Sequence, residues 1–447
     1  MASRPLSDFG EAAFQAGRFV EAAEALDEAI ASLRARGDLA AATRAMGTLG
    51  TVVFRLGDPR GWTLPAEAVG LLEPLQPGPE LVVALTEVAT VETFQGRFES
   101  GVRYAERALA LAEELGLDRS ARALGFRGLA RSNLGDPGGL DDMREAIAVA
   151  TQAGQGREAA LLHNNLGESL WLFEGPVASL QVLREGLAFA QARGLAEMVE
   201  GITISTLDAL VDSGELDEAL EVVAGIADRL ENEDVIDLAV VRAAQARILA
   251  LRGQAAQVAA SLDWLESASR GAGSADYVVI GLGSSAFARA GLGQDDRAAS
   301  LLAEVEATPG ARENQYYLAF LPAMLRTALA IGDLELTERL ADGVEPRSPY
   351  AEHALVAANA ALAEARGGLQ AAAEGYAELA DRWERFGVVP EQAFALLGQG
   401  RSLVGLARAI AAAPVLRGAR EIFERLGAAP ALAETDALLQ QAIALSS

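Results

Sequence analysis

The chain of 447 residues has no cysteine and no lysine, so all 37 of its basic residues are arginine. The missing cysteine excludes disulfides, thiolate metal sites and thiol nucleophiles. The missing lysine excludes the phosphate-binding motif G-x-x-x-x-G-K-[ST]. The only two histidines, His163 and His353, are far apart in the sequence, which disfavours a histidine metal site or a catalytic triad. We therefore expect no enzyme activity, no metal and no cofactor.

The charge and the apolar runs exclude further classes of function. The net charge is −26, which repels the backbones of DNA and RNA, so we expect no direct binding of nucleic acid. No uninterrupted apolar run of eighteen residues occurs, and the first residues have no apolar core of signal-peptide length. These absences predict a cytoplasmic protein without a membrane span.

Aromatic residues make up only 5% of a chain that is 51% hydrophobic, so alanine and leucine must supply most of the packing. Turn glycines recur through this background at a nearly constant interval of 39 or 40 residues, with one shorter step near residue 350. The series is Gly17, Gly57, Gly96, Gly135, Gly175, Gly214, Gly253, Gly293, Gly332, Gly367 and finally Ala407. A fixed period of this length is the signature of a repeat array.

Each repeat has the pattern of a helix hairpin. In the segment 159–194, leucines recur at helical spacing before Gly175-Pro176, where one helix ends and another begins. A second leucine stripe follows and ends at Gly194. One hairpin cannot bury both of its faces, so it needs a neighbour on each side. The sequence predicts an all-α, right-handed solenoid of about eleven hairpins. Residues 1–447 would form a single array, with repeats over 1–430 and a capping helix over 431–447.

Several segments resemble the tetratricopeptide-repeat superfamily. They are Leu166-Gly167, the turn G-x-[FL]-x-x-A at Gly17 and Gly214, and the alanine of each second helix. The unit is longer than the usual repeat of about 34 residues. It is similar to the C-terminal repeat domain of bacterial LuxR-type ATP-dependent transcriptional regulators and of adenylate-cyclase-like signalling proteins. The resemblance implies a domain that receives a partner or small ligand and controls an attached module.

One segment imitates a nucleotide-binding turn. Residues 278–286 read VVIGLGSSA, but the repeat phase requires a first helix here, so we expect helix rather than a nucleotide site.

In tetratricopeptide arrays the first helix of each hairpin lines the concave groove, so the candidate site lies on those helices. The central repeat offers Asn164, Asn165, Glu168 and Trp171 on one face. Asparagine can hold a peptide backbone, and tryptophan offers a flat apolar wall. The alternative is that Asn165 joins adjacent helices and Trp171 packs between repeats.

Two further sets of residues occupy the same face in other repeats. Thr86, Glu87 and Thr90 form the first set. Arg247, Arg326 and Arg401 take equivalent positions, and as an arginine seam they would bind carboxylate or phosphate groups. The alternative is that these arginines pair internally with glutamate and aspartate.

The predicted function is therefore a non-catalytic scaffold or sensor of a bacterial signalling or transcription-regulatory protein. A protein or peptide partner, or a small-molecule effector, would bind in the groove. The alternatives are a structural protein that forms homo-oligomers through its edges and, with least support, an enzyme.

Overall fold

The computed structural model describes residues 3–16, 18–56, 58–230 and 235–446. This part of the chain is helical and contains no strand. The chain divides into two compact units, residues 1–165 (unit 1) and 166–447 (unit 2).

Unit 1 is built from eight helices and the first part of a ninth. They are α1 (Ser3–Gln15), α2 (Phe19–Ala35), α3 (Leu39–Arg55), α4 (Leu64–Leu72), α5 (Pro79–Phe94), α6 (Phe98–Glu114), α7 (Ala121–Asn133), α8 (Gly138–Gln152) and α9 (Gly156–Phe173). A short 3-10 helix, Pro59–Trp62, precedes α4. The boundary between the units falls inside α9.

Unit 2 contains the rest of α9 and fourteen further helices. They are α10 (Pro176–Gln191), α11 (Ala196–Ser213), α12 (Leu216–Leu230), α13 (Val235–Leu251), α14 (Leu262–Gly271), α15 (Ala275–Gly291), α16 (Asp295–Ala307), α17 (Gln315–Ala330), α18 (Leu334–Ala341), α19 (Pro349–Ala365), α20 (Leu369–Phe386), α21 (Val389–Gly405), α22 (Ala409–Leu426) and α23 (Ala429–Ser446). Two 3-10 turns, Ala255–Gln257 and Ala259–Ser261, precede α14.

The helices alternate as hairpins, with odd-numbered first helices and even-numbered second helices. The turn glycines between the two helices have positive φ from Gly96 through Gly367, and Ala407 also has a positive φ, of 57°. Gly17 and Gly57 lie outside the described residues. Eleven hairpins followed by the single helix α23 account for the described chain, so the predicted class of stacked helix hairpins is confirmed.

Two local sequence predictions find a physical explanation in the packing. The segment 278–286 lies inside α15, as the repeat phase predicts. Gly281 is needed there because a Cβ atom would fall 1.8 Å from Oγ of Ser269 on α14. The short interval before Gly367 arises because α18 has only eight residues.

No helix in the described part of the chain combines the length and the apolar character needed to cross a membrane.

Candidate partner-binding surface

Ion pairs link successive first helices across one face of unit 1. Arg44 on α3 contacts Glu80 on α5 with 2.7 Å between Nη1 and Oε1. Arg122 on α7 contacts Glu87 on α5, with Nε 3.1 Å from Oε1, and Glu158 on α9, with Nη1 2.8 Å from Oε2. Because each pair joins neighbouring first helices, all five side chains lie on a common side, which we call the first-helix face of unit 1.

Apolar side chains stand exposed on this face. Val83 is 57% exposed and Phe94 is 52% exposed. Eleven residues make about three turns of an α-helix, so both side chains leave α5 on the same side, with Glu87 between them. The ring of Phe94 packs edge-on against Phe126 of α7, with 5.3 Å between the ring centroids. The centre of the first-helix face of unit 1 therefore combines open apolar area with charge.

Burial raises the pKa of Glu87; Arg122 opposes this shift and the nearby carboxylate of Glu158 adds to it. Glu87 nevertheless keeps about a third of its side chain exposed. Glu87 is thus partly desolvated and still accessible, so its interaction with Arg122 is less screened than one between fully solvated groups.

An open groove of about 690 Å³ lies between α1 and α3 of unit 1. Its lining is Asp8, Glu11, Ala12, Phe14, Gly47, Thr48 and Thr51. Gly47 keeps the groove wide, since no atom lies within 4 Å of the position that its Cβ would take. Carboxylates, hydroxyls and one aromatic ring thus surround a space that is large enough for a peptide segment.

In unit 2, by contrast, aromatic side chains fill the space between helices of different repeats. Trp171 of α9 lies 5.9 Å from Tyr316 of α17 and 5.4 Å from Tyr350 of α19, measured between ring centroids. Tyr350 also contacts Trp383 edge-on at 5.0 Å. Trp171, Tyr350 and Trp383 are buried. These rings belong to repeats far apart in sequence, so unit 2 occupies this space with its own side chains.

Helix ends from the beginning and from the end of unit 2 also contact each other. The turn at Gly175 lies against the carbonyl of Phe386, and the turn at Gly214 lies against Val389 and Leu426. Nε of Arg252 donates to the carbonyl of Leu426 at 3.2 Å. The first repeats of unit 2 therefore contact its last repeats, and the array of this unit closes on itself.

A buried carboxyl lies inside this closure. Asp212 of α11 accepts a hydrogen bond from Trp171 Nε1 and another from the Tyr350 hydroxyl. Burial raises the pKa of Asp212 to about 7, although the two donors and Arg247 favour the charged form. Asp208 lies close enough to add to the upward shift.

The residues predicted in the earlier repeat have different surroundings. Thr86 and Thr90 are buried, and each hydroxyl donates to a carbonyl of α5 four residues earlier, at 2.8 Å to Val82 and 3.1 Å to Thr86. Their side chains are thus used within the helix. Glu87 lies on the first-helix face of unit 1, and its role in binding stays a prediction.

The residues predicted in the central repeat lie on α9, on either side of the boundary between the units. In unit 1, Asn164 is half-buried and Asn165 is buried. In unit 2, Glu168 accepts a hydrogen bond from the Ser205 hydroxyl at 2.8 Å. Trp171 is buried against aromatic residues of other repeats, in line with the alternative that it packs between repeats. Contact of these four residues with a ligand stays a prediction.

The three arginines of the predicted seam each have a carboxylate partner. Arg247 pairs with Asp208 and lies over the ring of Phe320. The guanidinium of Arg326 forms two hydrogen bonds with Glu391, at 2.5 and 2.7 Å. Arg401 contacts Glu364 at 3.2 Å and Glu434 at 3.4 Å. A role in anion binding stays a prediction, and it would require these internal pairs to open.

Three prominent residues were absent from the sequence prediction. Val83 and Phe94 belong to apolar stripes, and such stripes normally indicate a buried core. Asp212 had a usable signal, because it is a single carboxylate directly after the apolar run Ala209–Val211 in a helix. Among the described residues no group of three or more histidine, aspartate or glutamate side chains is placed to hold a metal ion.

No protein-family model matches the sequence, and no curated protein matches it. Solved structures similar to this chain include a chain of the crystal structure of the APC/C hetero-tetramer Cut9–Hcn1. It has 13% identity and a TM-score of 0.47, and the match covers 100% of this chain and 96% of that one. Yeast Tom70 is similar with 12% identity and a TM-score of 0.37, over 98% of this chain and 96% of that one.

Proposed function

We propose that the chain is a non-catalytic scaffold that binds a protein or peptide partner on the first-helix face of unit 1. The observation that carries this proposal is the exposure of Val83 and Phe94 on the same side of α5. Apolar groups flanked by charged ones are typical of protein interfaces, in which apolar area supplies affinity and charge supplies specificity.

The contrast with unit 2 supports the choice of this face. There the side chains of Trp171, Tyr350 and Trp383 are covered by one another, so a partner would first have to displace them. On the first-helix face of unit 1 no such displacement is needed for Val83 or Phe94. A protein segment is favoured over a small molecule, because small-molecule sites bury most of the ligand surface and this face is open.

The setting that we propose is a bacterial signalling or transcription-regulatory protein. The support for it is the resemblance to the repeat domains of such regulators, in which the array receives a partner and controls an attached module. Partner binding in this setting would change the contacts between neighbouring hairpins, because each repeat contacts mainly its neighbours.

The test is a selection of peptides from a random display library on the purified chain, followed by titration of the selected peptides. We expect Val83→Ser combined with Phe94→Ser to weaken their binding by about tenfold or more, since buried aromatic anchors dominate interface energy. The matched control is Ile410→Ser, which changes an exposed apolar residue on α22 of unit 2.

Circular dichroism of each variant checks that the helices are retained. Equal affinity of the selected peptides for the wild type and the Val83/Phe94 variant would overturn the assignment of this face. An equal loss with Ile410→Ser would do the same, because it would show a general effect of surface apolarity.

A further inference from the structure

The groove between α1 and α3 has the chemistry of a receptor for a cationic side chain. Asp8 and Glu11 are exposed on α1, and neither forms an ion pair with any side chain that the structure describes. Phe14 lines the same space, and the face of an aromatic ring attracts a cation. Thr48 and Thr51 supply hydroxyl oxygens from α3. The carboxylates and the ring favour a guanidinium or ammonium group over an anion, and the hydroxyl oxygens can accept hydrogen bonds from it.

The charge along the whole first-helix face of unit 1 points the same way. Among the described side chains placed on this face above, carboxylates outnumber guanidinium groups: the acids are Asp8, Glu11, Glu80, Glu87 and Glu158, and the bases are Arg44 and Arg122. Both arginines are already paired with carboxylates of this face. A positively charged segment is therefore attracted to the face, and an acidic segment is repelled.

The apolar residues indicate how such a segment is composed. Val83 and Phe94 are exposed farther along the same face, on α5. A segment that carries only charges would leave them in water, whereas a segment with both cationic and apolar side chains meets both features. Nucleic acid is excluded as the occupant because its phosphates would face the carboxylates.

We infer that the partner segment is a cationic peptide, one of whose arginine or lysine side chains enters the groove between Asp8 and Glu11 on α1 and Thr48 and Thr51 on α3. This inference rests on the proposed function, since it specifies the partner of the same face. The remaining apolar side chains of the peptide contact Val83 and Phe94.

The experiment is a titration of the full chain with two labelled peptides, followed by fluorescence anisotropy. The first peptide alternates arginine with leucine. The second has citrulline in place of each arginine, which keeps nearly the same shape but removes the charge. We expect the arginine peptide to bind about tenfold or more tightly, with affinity that falls as salt is added.

The variant that tests the groove is Asp8→Asn with Glu11→Gln. We expect about a tenfold loss of affinity for the arginine peptide, because charge-assisted hydrogen bonds are the strong ones. The matched control is Glu24→Gln with Glu28→Gln, which removes two exposed carboxylates from α2 and changes the net charge by the same amount. Its affinity should stay within about twofold of the wild type, since isolated surface charges contribute little.

The outcomes separate this inference from the proposed function. Equal losses in the groove variant and the α2 control would show attraction by the net charge alone and overturn the inference. Equal binding of the citrulline peptide would also overturn it. If library peptides still lose affinity with the Val83→Ser and Phe94→Ser changes, the proposed function stands while the cationic partner falls. If neither labelled peptide binds and no library peptide depends on Val83 or Phe94, both fall.

Discussion

Trp171 Nε1 donates a hydrogen bond to Asp212 Oδ2 at 2.7 Å, inside unit 2. The hydroxyl of Tyr350 donates to the same oxygen at 3.0 Å. The three residues lie on α9, α11 and α19, so one carboxyl joins the beginning of the unit to a helix 138 residues farther along the chain. Because Asp212 is buried there, its ionisation is coupled to the closure of the unit.

We expect the stability of unit 2 to fall as the pH rises from about 4 to 7. The pKa of Asp212 is about 7 in the folded chain, against 3.8 as the ordinary value. The folded state therefore holds the proton more tightly than the unfolded state. Below the pKa of the unfolded state, Asp212 is protonated in both states, so its ionisation costs no stability. The penalty grows as pH rises through the interval and is constant above pH 7, on the order of 4 kcal/mol in the free energy of unfolding.

Urea unfolding at a series of pH values measures this slope, and Asp212→Asn should flatten it because the amide stays neutral. The control is Asp217→Asn, which removes an exposed carboxylate that pairs with Arg252. If the Asp212→Asn protein keeps the pH slope of the wild type, another group is responsible.

The hairpin array could be predicted because each turn has a local sequence signal, its glycine. From Gly96 to Gly293 every predicted turn glycine has a positive φ, which glycine adopts at low cost. The contact between the first and last repeats of unit 2 has no such signal in the sequence. The contact between Asp212 and Tyr350 obeys no period, because it depends on how small rotations accumulate over several repeats. A repeat pattern in the sequence describes contacts between neighbouring repeats only, so it does not specify this accumulated rotation.

Gly175→Ala should destabilise unit 2 by roughly 3 kcal/mol or more, from backbone strain and overpacking together. Gly175 has φ of 95° and ψ of 174°, a region essentially reserved for glycine. A Cβ atom there would also lie 2.1 Å from the carbonyl oxygen of Phe386. The substitution thus forces the closing contact apart.

The control for this prediction is Gly194→Ala. Gly194 also has positive φ, of 66°, but no atom lies within 4 Å of its Cβ position. We expect a loss of only about 1 kcal/mol from backbone strain. Denaturant unfolding compares the two variants, and equal losses would mean that the contact with Phe386 has no energetic weight.

The proposed binding surface was harder to predict than the array. Glu87 was a candidate in the sequence because it lies on the face of its first helix that corresponds to the candidate face of the central repeat. Val83 and Phe94 were missed because the same helix also buries Leu81 and Leu85, and an apolar side chain does not reveal which of them meets a neighbour. Exposure depends on whether the next element covers the residue, and sequence spacing on one helix does not specify that.

Glu266→Gln should destabilise the protein by about 2 to 3 kcal/mol, since it removes the buried carboxylate that Arg289 and Arg297 share and leaves Arg289 only the exposed carboxylate of Asp263. The side chain of Glu266 is only 1% exposed, and it accepts hydrogen bonds from Nε and Nη2 of Arg289 at 3.0 and 2.9 Å. Arg297 contacts its other oxygen. A matched substitution, Glu304→Gln, breaks the more exposed pair with Arg270 and should cost less than about 1 kcal/mol. Thermal unfolding of both variants gives the comparison, and similar costs would contradict it.

Gly139→Ala should destabilise unit 1 by about 2 to 3 kcal/mol, because α7 and α8 approach each other through glycine backbones. A Cβ atom on Gly139 would lie 2.2 Å from the carbonyl oxygen of Gly128 and 2.5 Å from Oγ of Ser132. The helices cannot separate freely to make room, since Asp142 of α8 accepts two hydrogen bonds from Arg127 of α7, at 2.8 and 2.7 Å.

Gly70→Ala is the control within the same unit: Gly70 lies in α4 with no atom within 4 Å of its Cβ position. Alanine should stabilise that helix by about 0.5 to 1 kcal/mol. Urea unfolding should therefore shift in opposite directions for the two substitutions, and a shift in the same direction would show that the glycine contact between α7 and α8 does not limit their packing.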